Sequence, residues 1–99
     1  MSSVNFKYSE DKIVAELQAY LESTYEGHYV AGDNKIQTVD VWDALGTVVP
    51  ACQSTSLKYL MRYGKKVGFN KKDLLKAMHY IILLWHFTQD EQTDNDEDV

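Results

Sequence analysis

Residues 58–80 read KYLMRYGKKVGFNKKDLLKAMHY, and their reading decides the fold. Gly64 and Gly68 punctuate an otherwise helical pattern, so the stretch predicts helix, short turn, helix. It holds Lys58, Arg62, Lys65, Lys66, Lys71, Lys72 and Lys76, seven of the ten basic residues, against one acid, Asp73. That local excess sits inside a chain of formal net charge −5. A cationic island in an acidic protein predicts a site for an anion. Lys58, Arg62 and Lys65, spaced i, i+4, i+7, are expected along one helical face. Asn70 followed by Asp73 resembles the capping box that opens a helix. Lys71, Lys72 and Lys76 then lie near its N-terminus, where cations oppose the helix dipole by roughly 0.3–1 kcal/mol each unless a phosphate binds there.

Working outward, the region before this stretch predicts two more short elements. Thr38 is placed to cap a helix Val39–Leu45, with Gly46 ending it and Val39, Trp42 and Leu45 facing the core. Thr47, Val48 and Val49 favour extended backbone, and Pro50 suits the start of a helix from about Ala51 to Tyr63. Leu57, Leu60 and Met61 are its expected core contacts. Earlier still, Ser9 precedes Glu10 and Asp11, and Ile13, Val14, Leu17, Tyr20 and Leu21 recur at helical spacing. This predicts a helix Glu10–Ser23, then a loop over residues 24–37 with short extended pieces at His28–Val30 and Lys35–Gln37.

The last helix is expected over Lys71–Thr88 as the longest element. Its end, Tyr80-Ile-Ile-Leu-Leu-Trp-His-Phe87, is apolar nearly all round, which predicts burial on more than one side. Either the other helices wrap it or it forms the interface of a homo-oligomer, and the small size of the chain favours the latter. Asp90, Glu91, Asp94, Asp96, Glu97 and Asp98 make an acidic tail, expected to be disordered from residue 90. It is read as solubilising, with shielding of the basic island as the sharper alternative. The expected architecture is all-α: one domain of about four helices over residues 1–89, then the tail.

Bulk properties narrow the function classes. One cysteine, Cys52, excludes an internal disulfide and fits a reducing compartment. No apolar run reaches the roughly 18 residues of a membrane span, and no signal-peptide core opens the chain. A soluble intracellular protein is expected. His28, His79 and His86 show no metal-ligand spacing, and no catalytic triad, paired carboxylates or Rossmann glycines occur.

Within the basic stretch Arg62 is the foremost phosphate ligand, because a guanidinium grips phosphate with two parallel bonds. Lys58, Lys65 and Lys66 add point charges, and Lys72 and Lys76 add to the field from the last helix. Tyr59 and Tyr63 flank Arg62, where they either stack on a nucleobase or pack in the core. A sequence pI of about 5.0 disfavours nucleic acid, so a compact mono-, di- or cyclic nucleotide is the expected ligand. A solvated cationic face is the plain alternative.

His28-Tyr29, Val39-Asp40-Val41, Lys58-Tyr59-Leu60, Arg62, Gly64-Lys65-Lys66, Asp73-Leu74, Lys76-Ala77 and Tyr80 carry a resemblance. The pattern is similar to a family of small phage-encoded proteins labelled uncharacterised or nucleotide kinase-like. Where that family has Gly-Asn before the Lys-Tyr-Leu, this chain has Ser54-Thr55, whose hydroxyls can bond phosphate or base edges. The resemblance implies a phage origin, the cytoplasm of an infected host cell and a nucleotide-like ligand. A phage gains by altering nucleotide pools or by sequestering a cyclic nucleotide signal of host defence. Nucleotide kinase activity, with ATP and Mg2+, is the enzymatic alternative. The usual Gly-x4-Gly-Lys-Ser/Thr phosphate loop is absent from the sequence, so no catalytic residue is assigned and no cofactor is expected of the binder. A third reading is an inhibitor that binds a host protein.

Overall fold

The computed structural model describes residues 4–28, 37–65 and 68–93. The elements are α1 (Glu10–His28), α2 (Thr38–Ala44), α3 (Val48–Arg62), α4 (Lys71–Phe87) and a 3₁₀ turn at Gln89–Glu91. The protein is all-α, as the sequence predicts. The chain divides into two compact units, residues 1–35 and residues 36–99.

In the first unit, Ser9 marks the helix start through its carbonyl, which accepts from the Ile13 N–H at 2.9 Å. Its backbone is left-handed (φ 62), not the extended form of an ordinary N-cap. Glu10 turns back instead, its carboxylate accepting from the Tyr8 N–H at 2.9 Å. α1 is the longest helix and runs through residues read from sequence as loop. The hydroxyls of Ser23 and Thr24 explain this, because they donate back to the Tyr20 and Leu21 carbonyls at 2.6 and 2.7 Å rather than diverting the chain. Residues 29–36 lie outside the described residues; of the extended pieces expected there, only Gln37 is seen, extended at φ −94, ψ 161.

In the second unit α2 starts one residue early. Asp40 accepts from the Gln37 N–H at 2.8 Å, so Gln37 rather than Thr38 stands at the cap. Gly46 closes α2 as expected. With φ 76 it lets the Thr47 N–H reach the Trp42 carbonyl (2.8 Å) and its own N–H reach that of Asp43 (3.1 Å). Leu45, expected in the core, is exposed at the helix end, while Val39 and Trp42 are half-buried.

α3 differs most from its sequence reading. Val48 and Val49 are helical, and Pro50 is the third helical residue. First-turn N–H groups have no intrahelical partner, so proline costs nothing there. Val48, Cys52 and Ser56 line the buried face, while Leu57, Leu60 and Met61, expected as core, are exposed. Facing them on α4 are buried Asp73 and Ala77. Small residues thus hold the seam between α3 and α4, and the large aliphatics flank it. The Ser56 hydroxyl donates to the Gln53 carbonyl at 3.0 Å and is satisfied despite burial.

Ile81, Ile82 and Trp85 on the apolar end of α4 are exposed. Asp90 and Glu91, expected in the disordered tail, belong to the 3₁₀ turn; residues 94–99 lie outside the described residues. No helix among the described residues is long and apolar enough to cross a membrane.

Candidate functional site

The α3–α4 turn builds the site. The Tyr63 N–H still bonds to the Tyr59 carbonyl (3.2 Å), and then the chain turns sharply. Gly64 (φ 83) donates to the Gly68 carbonyl (2.9 Å), and Lys65 and Gly68 form an antiparallel bridge. A Cβ on Gly64 would lie 2.7 Å from the Phe69 ring, so this position needs glycine for space as well as for φ. Asn70 caps α4, its Oδ1 accepting from the Lys72 N–H at 3.0 Å. The turn sends α4 back antiparallel to α3, which sets Asp73 beside Arg62 and Lys76 beside Tyr59.

Three cations gather on one ring. Lys58 Nζ lies 4.7 Å from the Tyr59 ring centre, Arg62 Cζ 5.2 Å and Lys76 Nζ 5.4 Å. Tyr59 in turn stacks on Tyr80 (6.2 Å between centroids, 19° between planes), and Tyr80 meets Trp42 at 6.3 Å. The half-buried ring is therefore fixed from both helices, and the cations are arranged around a rigid centre. Arg62 also pairs with Asp73 at 3.9 Å. Asp73 is buried, and its Oδ2 has no hydrogen-bond partner. One carboxylate faces three cations, leaving the group electropositive. The ring's negative face offsets each cation only by ~0.5–2 kcal/mol.

The structure thus brings together Lys58, Tyr59, Arg62 and Lys76. It does not place Lys65 on their helical face, because α3 stops at Arg62 and Lys65 sits exposed in the turn. Lys72 is exposed in the first turn of α4, and Lys66 lies outside the described residues. The Tyr63 ring makes an edge contact with Phe69 (5.3 Å, 67°).

Asp73, Tyr80 and Trp42 were not singled out from sequence as part of the site. Asp73 reads there as a capping acid, but the Asn70 N–H donates to the Gly68 carbonyl and Asp73 turns inward to Arg62. The spacing Asp73, Ala77, Tyr80 (i, i+4, i+7) carries the missed signal, since it puts the acid and the tyrosine on the face that meets α3.

His79 packs beside Tyr80 at 6.2 Å, and burial pushes its imidazole below the ordinary value, towards the neutral form. A neutral imidazole adds nothing to an anion site's charge. Burial pushes the Cys52 thiol up, as expected of a cysteine that packs as a small hydrophobe. Among the described residues no group of three or more His, Cys, Asp or Glu is placed to hold a metal ion.

A family model described as a protein of unknown function, DUF3310, matches residues 23–82, more than half of the chain. The chain belongs to the DUF3310 family. The family segment takes in all of α2 and α3 and α4 as far as Ile82, so every residue of the cationic group falls inside it. The chain is also similar to a DNA gyrase polypeptide of Thermotoga maritima, the one designated GyrB-type, at 37% identity over 70 residues. That alignment covers 71% of this chain and 10% of the gyrase polypeptide, so the chain spans about a tenth of that relative's length. No solved structure matches.

Proposed function

We propose that this DUF3310 protein binds the phosphate of a nucleotide or cyclic nucleotide and holds it without turning it over. The observation that carries the reading is the convergence of Lys58, Arg62 and Lys76 on the Tyr59 ring. Like charges at this spacing repel by about 1 kcal/mol or more per pair even in water-like surroundings. A phosphate relieves that repulsion and offers the Arg62 guanidinium two parallel acceptors. Asp73 fixes Arg62 from the buried side, so the guanidinium is held in place before the ligand arrives. Lys65, Lys66 and Lys72 strengthen the field around the group. Tyr59 orders the cations, and Tyr59 and Tyr63 are the aromatic candidates for the base.

The resemblance to phage proteins gives this binding a use, sequestration of a nucleotide signal in the cytoplasm of an infected cell. Thermal-shift and calorimetric titrations with mono-, di- and cyclic nucleotides, with and without magnesium, test the reading. Duplex DNA belongs among the ligands because of the similarity to a DNA gyrase polypeptide. Binding of intact nucleotide that Arg62→Ala abolishes and Lys7→Ala leaves unchanged supports it. ATP-dependent product formation would make the protein a kinase, and failure to bind any nucleotide would remove the proposal.

A further inference from the structure

We infer that the flank of α3 and α4 opposite the cations is the interface of a two-fold dimer, in which Trp85 of each copy enters a groove on the other. The groove has a volume of about 590 Å3 and is lined by Gln53, Ser54, Ser56, Leu57, Leu60 and Ile81. Trp85 stands one turn beyond Ile81 on α4, and Met61 one turn beyond Leu57 on α3. Groove and indole therefore lie on one continuous face, displaced from each other along α4. A two-fold axis passing between Ile81 and Trp85 sets each indole over the other copy's groove, the self-complementary arrangement that an isologous contact needs.

Area argues for a second copy. Leu57 is 56% exposed, Leu60 46%, Met61 67%, Ile81 46% and Trp85 66%. Together they present roughly 600 Å2, so two copies bury roughly 1,200 Å2 before any polar rim is added, the lower bound of a stable interface. The apolar residues buried in one chain are Val48, Cys52 and Ala77 among those described, too little to stabilise a helical hairpin alone. Pairing two hairpins yields four antiparallel helices around a shared core. No charged residue lines the groove, so a charged peptide has nothing to pair with there. Lys58, Arg62 and Lys76 stay on the far flank of α3 and α4, so dimerisation neither covers the cationic group nor opposes like charges. An exposed tryptophan beside an apolar groove is also the usual anchor of such contacts. The inference stands independently of the ligand reading.

Sedimentation equilibrium of the full chain tests it. The expected mass is twice the 11.4 kDa of one chain. Trp85→Ala and Leu57→Glu should each weaken association ~10-fold or more, while far-UV circular dichroism keeps its helical signal. Lys58→Ala should leave the mass unchanged. Should one variant fail to fold, the other and a concentration-dependent unfolding temperature of the wild type still decide. A monomer at all concentrations overturns the inference, and a monomer whose Trp85 emission is already blue-shifted, read in a Trp42→Phe background, assigns the face to α1 of the same chain. A dimer that survives both substitutions, or a larger assembly, also overturns it.

Discussion

The Arg62–Asp73 pair invites a double-mutant cycle. The charges lie 3.9 Å apart, with the arginine side chain 41% exposed and the aspartate 7%. At that separation two unit charges attract by about 4 kcal/mol at an effective dielectric constant near 20, and by about 1 kcal/mol in bulk water. The open arginine end moves the answer to the lower part of that range, ~1–2 kcal/mol. The two single substitutions should be unequal. Arg62→Ala strands a buried carboxylate, one oxygen of which already lacks a hydrogen bond, and should cost about 2 kcal/mol. Asp73→Asn removes the buried charge itself and should cost less. In the double variant the Arg62→Ala penalty should largely vanish. Urea unfolding followed by far-UV circular dichroism, at one fixed protein concentration and neutral pH, gives the four free energies. Single effects that add to within ~0.3 kcal/mol would refute the coupling. The same Asp73→Asn variant should bind phosphate ligands about three- to tenfold more tightly, because it removes a negative charge beside the guanidinium.

Other consequences are open to direct measurement. Gly64→Ala and Gly46→Ala should each cost about 1 kcal/mol in urea unfolding, from positive φ; the added Cβ at Gly64 meets a Phe69 ring that is 81% exposed and can swing aside. A Gly64→Ala cost far above that at Gly46 would mean the ring is held. Cys52 is fully buried with its thiol pushed up, so a thiol reagent should label the native protein only at the rate of its opening and label the unfolded chain at once. His79 has a folded-state pKa below its unfolded value, so the unfolded chain binds more protons. Its contribution is therefore intact above the ordinary histidine range and declines as pH falls through the folded value. Urea midpoints at about pH 7.5 and about pH 5.5 should differ in that sense, and His79→Gln should reduce the difference.

The two-helix reading of residues 58–80 came through because glycine leaves an unambiguous mark. Gly64 and Gly68 both take positive φ, which side chains resist, so the turn was legible. The buried face was not. α3 carries two candidate stripes, one of Val48, Cys52, Ser56, Tyr59 and Tyr63 and one of Leu57, Leu60 and Met61. Hydrophobicity alone favours the second. Packing chose the first, because small residues let helices approach and bring tyrosines from both sides into register. Local propensity misplaced the start of α3 for a related reason: burial of Val48 outweighs the extended preference of a β-branched pair. At the site, sequence supplied the cations but not what organises them. Charge density marks Lys58, Arg62 and Lys76, whereas their meeting on Tyr59 depends on which helical faces pair. Lys65 shows the converse error, a helical spacing carried past the glycine that ends the helix.

Ala77 sits at the middle of the α3–α4 seam, one turn from Asp73 and just short of Tyr80 on the same face. A larger side chain there would act as a wedge, prying the hairpin open at its waist. Lys76 would then swing away from Lys58 and Arg62 without any basic residue having been altered. The gauge of this seam is thus a tuning screw for the chain's electrostatics, and one methyl group sets it.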